Sequence, residues 1–214
     1  MTQKQQVSNT YTSFEINLMK TLIKKAKQYA PYPNPRVAAA IYKNNQIISL
    51  GVHQAAGQNH AEVDAIQNAQ GSCKGASIMV TLEPCNHHGK TPPCVEAIIN
   101  AKITEVIYAI RDPFPKVKQN PAKTSFKKHN IRVREGLMQQ EAYELNKEYF
   151  YFYQHKRPYI HLKAAISIDG KIACESGESK YITGPESLKK VHQLRANNQG
   201  IAIGRKTLLA DNPQ

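Results

Sequence analysis

Ser77-Ile78-Met79-Val80-Thr81-Leu82-Glu83-Pro84-Cys85, followed by Pro92-Pro93-Cys94-Val95-Glu96-Ala97-Ile98-Ile99-Asn100-Ala101 and Glu105-Val106-Ile107-Tyr108-Ala109-Ile110, is the stretch that decides the fold. The runs 77–82 and 105–110 are short, apolar and rich in β-branched residues, as buried strands are. Between them, Pro92 and Pro93 suit a helix start, where a missing N–H costs nothing. This predicts a helix over 92–101 with Cys94 in its first turn. Strand, helix, strand in that order implies an α/β layered domain whose sheet is at least partly parallel.

Upstream, Phe14, Leu18, Leu22 and Ala26 recur at helical spacing until Pro31 stops the run, which predicts a helix over 14–30. Residues 37–42 and 47–52 flank the polar turn Lys43-Asn44-Asn45-Gln46 and read as a hairpin. His60 opens an amphipathic helical stretch that reaches Ala69. Downstream, 112–120 reads as a loop rich in proline and lysine, and the runs 123–129 and 131–134 with a long helix over 137–153 close a first domain. His155-Lys156-Arg157-Pro158 is polar, basic and broken by proline, as linkers are. Beyond it a strand is expected at 159–166, a helix at 186–196 and a strand at 199–203. The expected organisation is a polar tail at 1–13, a domain at 14–154, a linker at 155–158 and the beginning of a second domain at 159–214.

The 214 residues suffice for one full core and part of a second. Hydrophobic residues at 41%, charged residues at 21% and no apolar run near the roughly 18 residues of a membrane span predict a soluble globular protein with no membrane role. Residues 1–13 are polar and lack the pattern of a secretory leader, so a cytoplasmic location is expected. In such a setting Cys85 and Cys94 are expected as metal ligands rather than bridges, and Cys73 and Cys174 as free thiols. The net charge of +13 is compatible with nucleic acid or with a phosphorylated small substrate. Much of it lies in the helix at 20–27 and in 116–128, where solvated faces explain it as well.

The chemistry gathers in His60-Ala61-Glu62, Pro84-Cys85 and Cys94. One imidazole and two thiolates can hold zinc and leave a fourth position for water, whose pKa the metal lowers toward neutrality. If the helix has begun at His60, positions i and i+2 diverge by about 200°, so Glu62 suits proton transfer better than ligation of the same metal. A lone His-x-Glu or two cysteines nine apart is a weak signal. Their conjunction in this order, with Pro84 before Cys85, points to a hydrolytic deaminase of an amino-substituted ring. Most zinc deaminases space the thiolates as Cys-x-x-Cys, whereas this chain places eight residues between them.

That segment, from Thr81-Leu82-Glu83-Pro84-Cys85 through Asn86-His87-His88-Gly89-Lys90-Thr91-Pro92-Pro93-Cys94, with Pro33-Asn34-Pro35 and Gly51-Val52-His53, closely resembles the bifunctional riboflavin-biosynthesis deaminase/reductases. Past the linker, Leu162 to Gly170, Gly177 to Thr183 and Leu208 to Pro213 resemble the opening third of the reductase domain of that family. The resemblance implies a cytidine-deaminase-like three-layer αβα domain followed by the start of a dihydrofolate-reductase-like α/β domain. It implies zinc on His60, Cys85 and Cys94, a proton shuttle at Glu62, and substrate contacts at Asn34, His53, His87 and Lys90. The implied substrate is 2,5-diamino-6-ribosylamino-4(3H)-pyrimidinone 5′-phosphate. For the reductase it implies NADPH contacts at Ala165, Tyr181, Thr207 and Asp211 and substrate contacts at Ser179 and Arg195, with Tyr181 where the family usually has tryptophan. The family's later glycine-rich phosphate-binding segment does not follow in this chain, so no reductase activity is expected from it alone. Homo-oligomers are implied, and nucleic acid is not an expected partner.

Two departures from the family pattern touch the first domain. Ala38 replaces a usual glycine, which is expected to bring a methyl toward the substrate, and Lys118-Gln119-Asn120-Pro121-Ala122 replaces a usual Gly-x-Gly. Two other readings compete: a deaminase of tRNA or single strands, and an inactive zinc-bound remnant.

Overall fold

The structure is a computed structural model that describes residues 10–89, 92–179 and 181–211. It divides into a first unit ending at Tyr159 and a second from Ile160 onward. The first unit begins with α1 (Ser13–Ala26), whose N-terminus carries a reciprocal cap: Thr12 Oγ1 accepts from Glu15 N, and Glu15 Oε2 accepts from Thr12 N. The helix ends at Ala26, a turn before the proline that the periodicity pointed to.

Next come the hairpin β1 (Ala38–Lys43) and β2 (Gln46–Val52), α2 (Ala61–Asn68), β3 (Ser77–Val80), α3 (Cys94–Asn100) and β4 (Glu105–Tyr108). The unit closes with α4 (Pro115–Gln119), α5 (Ala122–Lys128), β5 (Arg132–Glu135), α6 (Gln139–Leu145) and α7 (Lys147–His155). The five strands form one sheet in the order β2-β1-β3-β4-β5. β1 is antiparallel to both its neighbours, while β3, β4 and β5 run parallel, Ser77 opposite Glu105 and Glu105 opposite Arg132. Helices α2, α3 and α5 contact one another in turn, and α1 contacts α6, so the sheet lies between helical layers. Ala39, Ala40, Ile41, Ile78, Met79, Val106 and Ile107 fill the core with no exposed surface. This is the α/β architecture that the strand-helix-strand pattern predicts.

Two packing details set the depth of the site. A Cβ on Gly51 would lie 2.2 Å from Ala61 O and 2.2 Å from Ala65 N, so only glycine lets α2 rest on β2 at this distance. Ala38, expected near the substrate, instead lies wholly buried inside the sheet, its N–H donating to Thr81 Oγ1. Its methyl belongs to the core.

Two further expectations change. The loop over 112–120 contains a short helix, α4, started by Pro115. The single helix over 137–153 is broken at Asn146, which is buried and bonds in both directions to the backbone of Arg36: Oδ1 accepts from Arg36 N at 2.7 Å and Nδ2 donates to Arg36 O at 2.9 Å. An asparagine that bonds to distant backbone competes with continued helix.

On the far side of the sheet, Arg134 is buried between Glu15 and Glu105, and Glu15 also accepts from the Tyr42 hydroxyl at 3.0 Å. Tyr11, assigned to the polar tail by its sequence, is docked here, donating to Glu135 O at 2.8 Å.

The second unit contains α8 (Pro185–Ala196) and α9 (Arg205–Asp211). The strands expected at 159–166 and 199–203 are not formed, and no described residue of this unit is buried. No helix among the described residues is long and apolar enough to cross a membrane.

Candidate active site

The carboxyl end of β3 and the first turns of α2 and α3 meet at one point. His60 is the N-cap of α2, Cys94 opens α3, and Cys85 follows β3 by five residues. The three donor atoms lie within 4.8 Å of one another. His60 Nδ1 is 3.2 Å from Cys94 Sγ and 3.5 Å from Cys85 Sγ, and the Cys94 backbone N–H donates to Cys85 Sγ at 3.3 Å. His60 has extended dihedrals, φ −70° and ψ 157°, so the helix has not yet begun there. The divergence expected between His60 and Glu62 therefore does not apply, and both line the same cavity of about 370 Å³.

The electrostatics follow from burial and these contacts. A hydrogen bond to Cys85 raises His60 to about 9, with the Glu62 charge adding to it. The Cys94 side chain first, and His60 after it, bring the Cys85 thiol down to about 4, while the Cys94 thiol is pushed well above its ordinary value by the same sharing and by burial. Burial raises the Glu62 carboxyl to about 7, and the neighbouring Cys85 thiolate acts in the same direction. One imidazole and two thiols around a common point, with protons a cation would displace, fit a zinc ion that keeps an open fourth position.

His53 and Asn34 form a pair. Asn34 Nδ2 donates to His53 Nε2 at 2.9 Å, and His53 Nδ1 donates to Asn59 O at 2.9 Å. Both ring nitrogens are thereby used, and burial lowers the His53 pKa, so the ring is neutral. His87 lines the cavity too, and its buried Nδ1 has no hydrogen-bond partner among the described residues. Lys90 lies outside the described residues.

The opposite wall was not foreseen. It consists of Asp112, Phe114, Tyr149 and Tyr153. Asp112 is buried, which raises its pKa, and its Oδ1 accepts from Phe114 N and from the Tyr149 hydroxyl, both at 2.9 Å. Phe114 stands edge-on to Tyr153 at 5.4 Å and 5.2 Å from the His87 ring. Asp112 follows the carboxyl end of a parallel strand, where ligands gather in open α/β sheets, and this was the one signal the sequence held.

Behind the metal-type loop, Glu83 Oε1 accepts from Ala122 N at 3.0 Å and Oε2 from Asp112 N at 3.3 Å. Asn86 and Asn120 exchange side-chain-to-backbone bonds, and Asn86 Nδ2 also donates to Ser125 Oγ at 2.9 Å. The departure at 118–122 is therefore a brace on the loop that carries Cys85.

Residues 12–110 match the family described as the cytidine and deoxycytidylate deaminase zinc-binding region, and residues 158–214 match the RibD C-terminal domain. Among curated proteins, the riboflavin biosynthesis protein RibD of Bacillus amyloliquefaciens is 45% identical over 181 residues, 85% of this chain and 48% of that protein. The chain belongs to the RibD family. Of solved RibD-type structures, the Thermotoga maritima deaminase/reductase is 38% identical with a TM-score of 0.84, covering 93% of this chain and 59% of that one. Acinetobacter baumannii RibD is 38% identical with a TM-score of 0.88, covering 94% of this chain and 57% of that one. The chain spans about half the length of the curated RibD relatives it matches.

The positions tied by resemblance to reductase chemistry lie at or near the surface where their side chains are described. Ser179, Tyr181, Arg195 and Thr207 are exposed, Ala165 is half-exposed, and Asp211 ends α9.

Proposed function

We propose that this chain is a zinc-dependent aminohydrolase of riboflavin biosynthesis. Its substrate is 2,5-diamino-6-ribosylamino-4(3H)-pyrimidinone 5′-phosphate and its products are 5-amino-6-ribosylaminouracil 5′-phosphate and ammonia. One observation carries this reading: the donors of His60, Cys85 and Cys94 lie within 4.8 Å of one another, and buried Glu62 opens on the same cavity. When bound, zinc supplies Lewis acidity that makes a water nucleophilic near neutral pH. Glu62 takes one proton of the attacking water at its carboxylate and passes it to the ring nitrogen, then carries the remaining hydroxyl proton to the departing amino group. Water and the ring C–NH2 thus become the ring carbonyl and ammonia. Burial keeps the Glu62 carboxyl near the pH at which it both accepts and releases a proton. In this reading Asn34, oriented by His53, reads the edge of the pyrimidine, His87 donates or accepts at its buried Nδ1, and Lys90 offers a point charge to the phosphate.

The second unit is assigned, in the same proposal, to the start of an NADPH-dependent reductase domain. Of the residues tied to NADPH, Tyr181 and Thr207 are exposed and Ala165 is half-exposed, and no reduction step is assigned to this chain. Assembly into homo-oligomers rests on the family resemblance.

The test is ammonia release from the phosphorylated diaminopyrimidine. Glu62→Gln is expected to lower turnover by about 10²- to 10⁴-fold while zinc content is retained, and His60→Ala to lose both. Ammonia release from tRNA but not from the pyrimidine, or a Glu62→Gln variant of undiminished activity, sinks the assignment.

A further inference from the structure

The lysines at 116–128 form a charge excess that deamination leaves unused. In the first unit they build α4 and α5, which together with Arg111 border a second cleft of about 830 Å³. Arg111, Lys118, Lys123 and Lys127 line it. Two of the cations are held in place: Arg111 Nε and Nη2 donate to Glu135 at 2.9 and 2.8 Å, and Lys123 Nζ donates to Glu135 at 2.9 Å. Two cations therefore face one carboxylate. Lys118 and Lys127 are exposed and form no ion pair among the described residues.

Two acids, Glu83 and Asp112, stand between this cleft and the catalytic cavity and line both. Glu83 uses both oxygens on the backbone N–H groups of Asp112 and Ala122, and Asp112 uses Oδ1 on Phe114 N and the Tyr149 hydroxyl. An anion entering the cleft meets cations at the rim before these engaged acids. Clustered lysines with an arginine suit phosphate oxygens.

We propose that this cleft is a second ligand site, separate from the catalytic cavity, for a small compound bearing more than one phosphate. Its phosphates lie against Lys118, Lys123, Lys127 and Arg111. The site is independent of the deaminase reading and stands or falls separately from it.

The experiment is calorimetric titration of the zinc-loaded full chain with pyrophosphate, in wild type, in Lys118→Ala/Lys127→Ala and in Lys90→Ala. The expected result is saturable binding that weakens about tenfold or more in the double variant, through loss of charge-assisted contacts, and is unchanged in Lys90→Ala. Because Lys118 and Lys127 are exposed, the thermal midpoint of the double variant is expected to match that of wild type, which separates lost binding from lost folding. Absence of binding in wild type, equal affinity in the double variant, or loss in Lys90→Ala instead overturns the proposal. So does a single-stranded oligonucleotide that binds more tightly than pyrophosphate and is weakened by the same double substitution.

Discussion

Ile41 and Ile107 in the first unit have no exposed surface, whereas Leu162 in the second is 96% exposed and Ile160 81% exposed. Both regions carry short β-branched runs of the same kind, and only one turns them into strands. The second unit does form its expected helix, α8, with Pro185 at the first position, because helical hydrogen bonds close within the segment itself. A strand must find its partner elsewhere in the chain. In the first unit β3 lies between β1 and β4, and burial on both faces follows. Among the described residues, 159–166 and 199–203 form no strand. Apolar composition proposes a strand, and pairing makes one.

The largest effect that tests this contrast belongs to Arg134. Arg134→Ala strands Glu15 and Glu105 in a buried pocket, so chemical denaturation of the first unit is expected to show a loss of about 3–5 kcal/mol. Next comes Asn146→Ala, which removes both bonds to the Arg36 backbone and is expected to cost about 1–3 kcal/mol. Since Asn34 lies two residues from Arg36, the same variant is also expected to raise KM more than it lowers kcat.

A smaller effect follows from Glu135, held at about 2 chiefly by its hydrogen bonds from Arg111. Its folded pKa lies below the unfolded carboxylate range, so its stabilisation is present above about 4.5 and is lost as pH falls toward 2. Glu135→Gln should therefore flatten the stability profile in that window, and an unchanged acid limb would show that the cluster contributes nothing. The smallest effect is expected from Leu162→Ser, under about 0.5 kcal/mol for the first unit. A loss comparable to that of Arg134→Ala would break the comparison between the two regions.

What could be read from the sequence follows the same division. The gathering of His60, Cys85 and Cys94, with Glu62 on the same cavity, was legible because their order and spacing are fixed in the sequence before any folding. The strand-helix-strand run between Ser77 and Tyr108 was legible because periodicity is local. Asp112 and Tyr149 were not, because their hydrogen bond joins positions 37 residues apart. The Arg134 cluster spans 119 residues to Glu15, and no pattern in either segment announces the other. The break at Asn146 was hidden for the same reason: the reason the helix stops there is a backbone 110 residues away. Ala38 was misplaced because a departure from a family pattern does not say which side of a strand the new methyl faces.

With a Cβ built on it lying 2.2 Å from Ala61 O, Gly51 acts as a spacer gauge of zero thickness between the sheet and α2. The first turn of that helix carries Glu62 and is capped by His60, so a single methyl inserted at Gly51 would lift both side chains together. Cys85 and Cys94, seated on β3's loop and on α3, would stay behind. The tolerance of the metal-type cluster is thus machined at a residue that touches none of its ligands.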